Sequence, residues 1–237
     1  MKLMNVDYKI EQRSFELIMT YKKVKRFSDI VLSAVGLTIL SPILLIVVIA
    51  IKLESKGPVI FQQERLGLDG KIFKIYKFRS MCVGAEKSGV YDTKGDARVT
   101  KVGKFIRKTS IDEFPQFVNI IKGDMSIIGP RPTLTYHPWP IGKYTKFQKK
   151  RFNVRPGVTG WAQVNGRKEV PWDKRIEYDV EYVENLSFGF DLKIFFRTIL
   201  KVLAMQDNVN VGETAKKATV KEQESEVAAT LEERRND

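Results

Sequence analysis

Two adjacent carboxylates, Asp112 and Glu113, are the residues of this chain whose types and spacing best suit catalysis. The preceding serine and Glu113 fit the Ser-x-x-Glu capping pattern, which predicts a helix from Ile111 to about Gly123 with a bend at Pro115. Neighbouring side chains on a helix point about 100° apart. The two carboxylates therefore suit different tasks, one as a nucleophile and the other as a ligand of a cation. The alternative is that both only stabilise the positive end of the helix.

Basic residues in stiff or glycine-rich segments are the candidate phosphate ligands. Arg131 stands between two prolines, which restrict the loop and present its guanidinium at low entropic cost. The stretch from Arg155 to Arg167 contains three glycines, which either permit close approach of a ligand or only build turns. Lys77 and Arg79 share one face of a predicted strand, where they suit a phosphate or protect a sheet edge.

The composition limits the chemistry that is available. The 237 residues include one cysteine, Cys82, and one histidine, His137, which excludes a disulfide within the chain, a Cys-rich zinc site and a mechanism with two imidazoles. The net charge is +13, and the segment from Asp207 onward contains five basic and eight acidic residues, so that residues 1–206 carry +16. Such a charge favours nucleic acid, an acidic membrane surface or a phosphorylated small molecule as partner. The acidic tail is predicted to be disordered.

An apolar segment favours the membrane. Ile30–Ile51 contains 22 residues without a charge, which as a helix would measure about 33 Å against a hydrocarbon core of ~30 Å. Pro42, after Ser41, interrupts the helical hydrogen bonds near its middle. Basic residues flank both ends, which the positive-inside rule places on the cytoplasmic side. These features predict a re-entrant hairpin that breaks at Ser41-Pro42; a kinked spanning helix and a buried core helix are the alternatives.

Two further elements are predicted around these residues. Val59–Arg65 and Lys71–Phe78 flank Gly67–Gly70 and indicate a β-hairpin. Late in the chain, basic residues every four positions (Lys193, Arg197 and Lys201) accompany an apolar face, which is typical of an amphipathic helix at a membrane interface. The alternative is a helix packed on the rest of the protein with a solvated basic edge.

Five segments carry a resemblance to a known family: KRFSDIVLSAVGLTILSPILLIVVIAIKLES, GPVIFQQERLGLDGKIFKIYKFRSM, TSIDEFPQFVNIIKGDMSIIGPRP, VRPGVTGWAQVNGR and YDVEYVENLSFGFDLKIFF. In this order, over about residues 25–203, the chain resembles the bacterial sugar transferase family, the monotopic polyprenyl-phosphate phosphoglycosyl transferases, in its short single-domain form. The resemblance implies transfer of a sugar-1-phosphate from a UDP-sugar to undecaprenyl phosphate, with release of UMP. This step would begin a lipid-linked glycan, such as capsule, exopolysaccharide, O-antigen or glycoprotein.

The resemblance also implies roles for particular residues. Asp112 would be the nucleophile that forms a phosphosugar intermediate, and Glu113, with Asp112, would help to hold Mg²⁺. The expected phosphate ligands are Arg107, Arg131, Arg155 and, by a looser match, Lys77. Ser41 and Pro42 match the break of the family's re-entrant helix. The implied partners are the two substrates and the lipids of the bacterial inner membrane, without nucleic acid, and a homodimer is left open.

The sequence thus predicts an α+β, mostly helical fold with a re-entrant membrane helix, a catalytic domain on the cytoplasmic face with a small β-hairpin, and interfacial amphipathic helices. The expected divisions are a basic flank (1–24), the membrane helix (25–56), the catalytic domain (57–206) and the acidic tail (207–237). The rival hypotheses are a nucleic-acid-binding module, a membrane scaffold without catalysis, and a soluble glycosyltransferase whose nearest approach to an Asp-x-Asp motif is Asp179-Val180-Glu181.

Overall fold

A computed structural model describes residues 2–85, 96–166 and 170–204, with side chains from residue 16 onward except that of Leu203. The predicted acidic tail, most of the basic flank's side chains and Arg167 lie outside this description. Seven helices, four strands and several short 3₁₀ turns are found in the described residues: α1 (Lys2–Glu54), β1 (Ile60–Leu66), β2 (Ile72–Phe78), α2 (Lys101–Lys108), α3 (Gln116–Lys122), β3 (Ser126–Ile128), α4 (Lys146–Lys149), β4 (Gly157–Thr159), α5 (Trp161–Val164), α6 (Trp172–Glu184) and α7 (Phe188–Leu203). The predicted mostly helical α+β composition is confirmed.

The predicted β-hairpin is confirmed. Strands β1 and β2 pair antiparallel, with Ile60 opposite Phe78, and a 3₁₀ turn over Leu68–Gly70 connects them. A second pair, β3 and β4, is parallel and short. Alternation along β2 turns Ile75 into the core beside Ile120 of α3, because successive side chains of a strand point to opposite faces. The hairpin is thereby packed against the helix that follows the acidic pair.

The predicted break at Ser41-Pro42 is not found, because α1 remains helical through Pro42. Proline cannot donate the hydrogen bond that the Thr38 carbonyl would otherwise accept. The Ser41 hydroxyl donates to that carbonyl instead, at 2.8 Å. The serine thus compensates for the donor that the proline lacks, and the proline is accommodated inside a helix.

Both halves of α1 contact the same globular body. Before the apolar segment, Arg26 donates to the carbonyls of Ile120 and Ile121 at the end of α3, at 2.6 and 3.0 Å. After it, Ile51 is buried against Ile106 of α2. The start and the end of the apolar segment are therefore held by one compact unit.

The apolar segment between these contacts leaves much of its surface uncovered. Residues 16–54 are the one stretch among the described helices that is long and apolar enough to cross a bilayer. Ile39 and Ile46 are exposed over 69% and 66% of their surface. A contiguous apolar surface of this kind indicates contact with lipid or with another protein.

Helix α7 leaves apolar residues exposed and packs two of its three predicted basic residues on the protein. Ile194 is fully buried, whereas Phe196 and Leu200 are exposed on another face. Lys193 and Arg197 lie over the ring of Trp161, at 4.9 and 5.0 Å from its centroid. Two of the three predicted basic residues thus pack on the protein through cation–π contacts, and α7 is held on the globular body with an uncovered apolar face.

Candidate active site

The acidic pair lies in a short 3₁₀ turn, Ile111–Glu113, and not in a continuous helix. Ser110 adopts a left-handed conformation (φ 58°) and its side chain makes no capping hydrogen bond, so the predicted capping box is wrong. The left-handed backbone turns Ser110 away from the capping geometry, and Glu113 is paired with cations instead. The single helix predicted from Ile111 to about Gly123 is therefore divided: α3 begins only after Pro115 and ends at Lys122.

Glu113 is the centre of a three-residue charge cluster. Its Oε1 accepts hydrogen bonds from Lys77 Nζ at 2.8 Å and from Arg131 Nη2 at 2.7 Å. Burial alone would raise the pKa of Glu113, but the charges and hydrogen bonds of Arg131 and Lys77 together hold it well below its usual range. Glu113 is therefore ionised at neutral pH and fixed in position by two cations.

Asp112 has different surroundings although it is the next residue. Its surface is only 9% exposed, and no residue in the described parts of the chain donates a hydrogen bond to its carboxylate. Burial and the charge of the adjacent Glu113 raise the pKa of Asp112, whereas three cations lower it (Lys77, Arg107 and Arg131), and the net shift is upward. A buried carboxylate without hydrogen-bond donors retains its lone pairs for reaction, and the cations around it attract anionic substrates.

Asn119 connects α3 to the backbone of β2, the strand that carries Lys77. The Asn119 side chain is fully buried, accepts a hydrogen bond from the backbone N–H of Tyr76 at 2.9 Å and donates to the Lys74 carbonyl at 2.8 Å. The side-chain amide thus pairs with the open edge of β2 in place of a third strand. Sequence analysis did not identify Asn119, although a single asparagine among the apolar residues of α3 is the signal that would have indicated it.

Arg131 lies in the proline-bracketed loop as predicted. A buried ion pair is hydrogen-bonded to the backbone of that loop. Arg151 and Asp179 are both buried and joined at 2.8 Å. Arg151 also donates to the backbone carbonyl of Arg131 at 2.8 Å and to the Thr133 hydroxyl at 3.2 Å. Asp179 is consequently the partner of a buried arginine, which argues against the Asp-x-Asp alternative. Arg151 was not identified from the sequence.

The remaining predicted phosphate ligands lie in different places. Arg107 lies on α2, close enough to affect the pKa of Asp112. Arg155 donates its Nε to the Gly123 carbonyl at 2.8 Å, beyond the end of α3, and contacts neither acidic residue. Arg79 is buried and donates to the carbonyls of Ser55 and Lys56, so that the alternative in which Lys77 and Arg79 act together is wrong.

The donor set around Asp112 and Glu113 suits a magnesium ion that is shared with a substrate. No group of three or more His, Cys, Asp or Glu side chains that could hold a metal ion occurs among the described residues. Mg²⁺ is commonly bound by one or two carboxylates together with substrate phosphates and water, so an enclosed protein site is not required. The ionised Glu113 and the hydrogen-bond-free Asp112 fit such an arrangement.

The structure combines a long apolar helix with a buried cluster of carboxylates and cations. Such a protein is suited to the binding of phosphates next to a lipid surface. The chain belongs to the bacterial sugar transferase family, to which residues 20–205 match. It is similar to the UDP-glucose:undecaprenyl-phosphate glucose-1-phosphate transferase of Escherichia coli K12, with 47% identity over 184 residues, which are 75% of this chain and 40% of that protein.

Two other relatives show how far the similarity extends. The sugar transferase EpsL of Bacillus subtilis, described as uncharacterized, is 44% identical over 77% of this chain and 89% of its own length. The UDP-N-acetylgalactosamine-undecaprenyl-phosphate N-acetylgalactosaminephosphotransferase of Aeromonas hydrophila is 46% identical over 77% of this chain and 44% of its own length. The chain therefore spans nearly all of one relative and about two fifths of the others.

Proposed function

We propose that this protein transfers a sugar-1-phosphate from a UDP-sugar to undecaprenyl phosphate and releases UMP. The names of the relatives from E. coli and A. hydrophila describe such transfers with glucose and N-acetylgalactosamine. The observation that carries the proposal is the contrast between the two adjacent carboxylates: Asp112 has no hydrogen-bond donor among the described residues, whereas Glu113 is fixed by Lys77 and Arg131. One is free to react and the other is held as a fixed charge.

In the first half-reaction, an Asp112 oxygen attacks the phosphorus that carries the sugar. A P–O bond to Asp112 forms, the bond to the bridging oxygen breaks, and UMP departs with the electron pair. In the second half-reaction, a phosphate oxygen of undecaprenyl phosphate attacks the same phosphorus and the carboxylate of Asp112 leaves. Two displacements at one phosphorus restore the enzyme and need no oxidant or reductant.

The basic residues stabilise the charge that develops during both steps. The Arg131 side chain is 40% exposed, so that its guanidinium is accessible to a phosphate while it remains paired with Glu113. Lys77 is more enclosed, and its position beside Glu113 fixes the direction of its ammonium group. When bound at the two carboxylates, Mg²⁺ would neutralise diphosphate charge and stabilise the departing phosphate. Prearranged charges of this kind act without reorganisation during the reaction.

We further propose that α1 is re-entrant and that the catalytic unit lies on the cytoplasmic face of the bacterial inner membrane. Both flanks of the apolar segment contact the same globular body, which can occupy only one side of a bilayer. Apolar side chains are exposed on α1 and also on α2 (Phe105), α3 (Val118) and α7 (Phe196). This surface suits contact with the lipid interface, where a prenyl phosphate presents its head group.

The transfer is tested with Asp112→Asn in the full-length protein. Wild type is expected to release UMP from a UDP-sugar and to retain label from a sugar-phosphate on the protein, and a screen of UDP-sugars identifies the donor. Asp112→Asn is expected to lose both signals, with a fall in rate of at least about 10³-fold, equivalent to ~4 kcal/mol. Asp173→Asn, which changes an exposed acid on α6, serves as the matched control and should retain both. Near-normal UMP release by Asp112→Asn contradicts the proposal.

A further inference from the structure

A cavity of about 210 Å³ lies at the base of α1, separate from the acidic pair. Its walls come from the residues just before the apolar segment, from β3 and from the segment that precedes β4. Four of the side chains that line it are basic: Lys22, Lys25, Arg26 and Arg155. None of the residues that surround Asp112 belongs to its lining, so this is a second basic site.

The positive charge in this cavity is only partly compensated. Lys25 pairs with Asp191 at 2.8 Å. Asp29, the acidic residue of the lining, accepts hydrogen bonds from the Ser126 hydroxyl at 2.7 Å and from the Ile127 N–H at 3.2 Å. Asp29 also lies 3.9 Å from Lys25. Asp29 and Asp191 thus offset two of the four positive charges, and Arg26 and Arg155 remain as neighbouring cations.

Arg155 and Lys22 have donors left for a ligand. Arg155 uses only its Nε, for the Gly123 carbonyl, and within the described chain its two terminal nitrogens and the Lys22 ammonium donate to no group. Burial and the charge of Arg155 lower the pKa of Arg26, whereas the charges of Asp29 and Asp124 raise it, and the net shift is downward, in agreement with two like charges held close together. An anion between these groups would relieve the repulsion and accept charge-assisted hydrogen bonds.

We propose that this cavity binds the phosphate group of a membrane lipid. Its lining begins immediately before the apolar segment, which places it at the level of the lipid head groups if α1 enters the bilayer as proposed above. Pockets for drug-sized ligands measure about 300–1,000 Å³, so that 210 Å³ is too small to enclose a nucleotide sugar. It accommodates a phosphate head group whose chains remain in the membrane. The inference uses the proposed location of α1 but not the transfer reaction.

Binding is measured by calorimetric titration of the detergent-solubilised full-length protein without a sugar donor. Three probes separate the sources of phosphate: dihexanoyl phosphatidylglycerol, farnesyl phosphate and inorganic phosphate. At least one lipid probe is expected to bind ten or more times as tightly as inorganic phosphate, and the probe that does so identifies the head group as a phospholipid diester or a prenyl monoester. Equal affinity for inorganic phosphate, or no binding of either lipid, overturns the proposal.

Variants locate the binding event. The double variant Lys22→Gln with Arg155→Gln is expected to bind the lipid probe at least tenfold more weakly than wild type. Lys22→Gln alone changes an exposed position, which leaves the fold intact, and is expected to weaken binding at least threefold. Lys23→Gln removes the same charge from the adjacent position, which does not line the cavity, and is expected to stay within twofold of wild type. Equal weakening by Lys22→Gln and Lys23→Gln would indicate general electrostatics and would overturn the site. UMP release is measured on the same preparations, so that loss of this cavity site with normal release is distinguished from failure of the transfer reaction.

Discussion

Arg151 donates a hydrogen bond to the backbone carbonyl of Arg131 at 2.8 Å, and this bond connects a buried ion pair to the loop of the candidate active site. The two prolines around Arg131 restrict its backbone, but they do not determine where the loop lies relative to Glu113. Arg151, fixed by Asp179 at 2.8 Å, supplies that reference point. It acts on the reaction only through Arg131 and is therefore a positioning residue.

The first prediction separates this positioning role from stability. Asp179→Asn should destabilise the protein by ~3 kcal/mol, because Arg151 remains as an unpaired buried charge. Replacement of both partners by apolar residues, Arg151→Met with Asp179→Leu, should restore most of the stability, since no buried charge is left. Turnover should remain at least tenfold low in the double variant, because the Arg131 carbonyl has lost its donor.

Thermal unfolding and UMP release measured on the same preparations check this prediction. The exposed pair Lys150–Glu184 is the matched control, and its removal should cost less than about 1 kcal/mol. A double variant that regains both stability and full turnover would show that Arg151 serves the fold alone.

The second prediction concerns opposite stability effects of the two adjacent carboxylates. The pKa of Asp112 is raised, so the folded state binds a proton more tightly than the unfolded state, and stability falls as pH rises from about 4 through the raised pKa. Asp112→Asn should therefore raise the melting temperature at pH 7–8 and have little effect below pH 4. Unchanged or lowered stability at neutral pH would contradict this assignment.

Glu113 contributes to stability with the opposite pH dependence. Its pKa is lowered, so it stabilises the fold above its unfolded pKa near 4.5, and this contribution is lost as pH falls through the folded value. Glu113→Gln should lower stability at pH 7 by on the order of 2 kcal/mol, because Lys77 and Arg131 lose their charged partner. Melting curves from pH 3 to pH 8 in the presence of a chelator measure this difference without a contribution from metal.

The third prediction concerns the metal ion. Chelation should abolish UMP release by wild type, and added Mg²⁺ should restore it. If Glu113 is a ligand, Glu113→Gln should need at least tenfold more Mg²⁺ for half-maximal activity, in addition to a lower maximal rate. Asn119→Ala, which disturbs the support of β2 rather than a ligand, should lower the rate without changing the Mg²⁺ requirement. The same Mg²⁺ dependence in Glu113→Gln and wild type would remove Glu113 from the metal site.

The fourth prediction concerns the path of α1. Tags placed near residues 10 and 230 should both be accessible from the cytoplasm if the segment is re-entrant. Pro42→Ala restores a backbone donor for the Thr38 carbonyl, which should favour a straight, spanning helix, with tags on opposite sides and loss of activity. Pro58→Ala, outside the apolar segment, is the control. Tags of the wild type on opposite sides of the membrane would exclude the hairpin.

Local sequence patterns determined much of this protein. Absence of charge over 22 residues identified the apolar part of α1, and the alternation of Val59–Phe78 around two glycines identified the hairpin. The adjacent acids and the proline-bracketed Arg131 indicated phosphate chemistry. The residues matched to the family indicated the proposed substrates. These features are readable because helix period, strand period and proline geometry depend on neighbours in the chain.

Only the tertiary structure decided which charges meet. Glu113, Lys77 and Arg131 are separated by 36 and 18 positions, and no local pattern shows that both cations share one carboxylate oxygen while Asp112 receives no hydrogen bond from the described residues. Local chemistry suggested capping for Ser110 and phosphate binding for Arg155. Packing turned Ser110 left-handed and placed Arg155 away from the acidic pair, at a second basic cavity. A side chain's partners depend on distances through space, which residue type and spacing leave open.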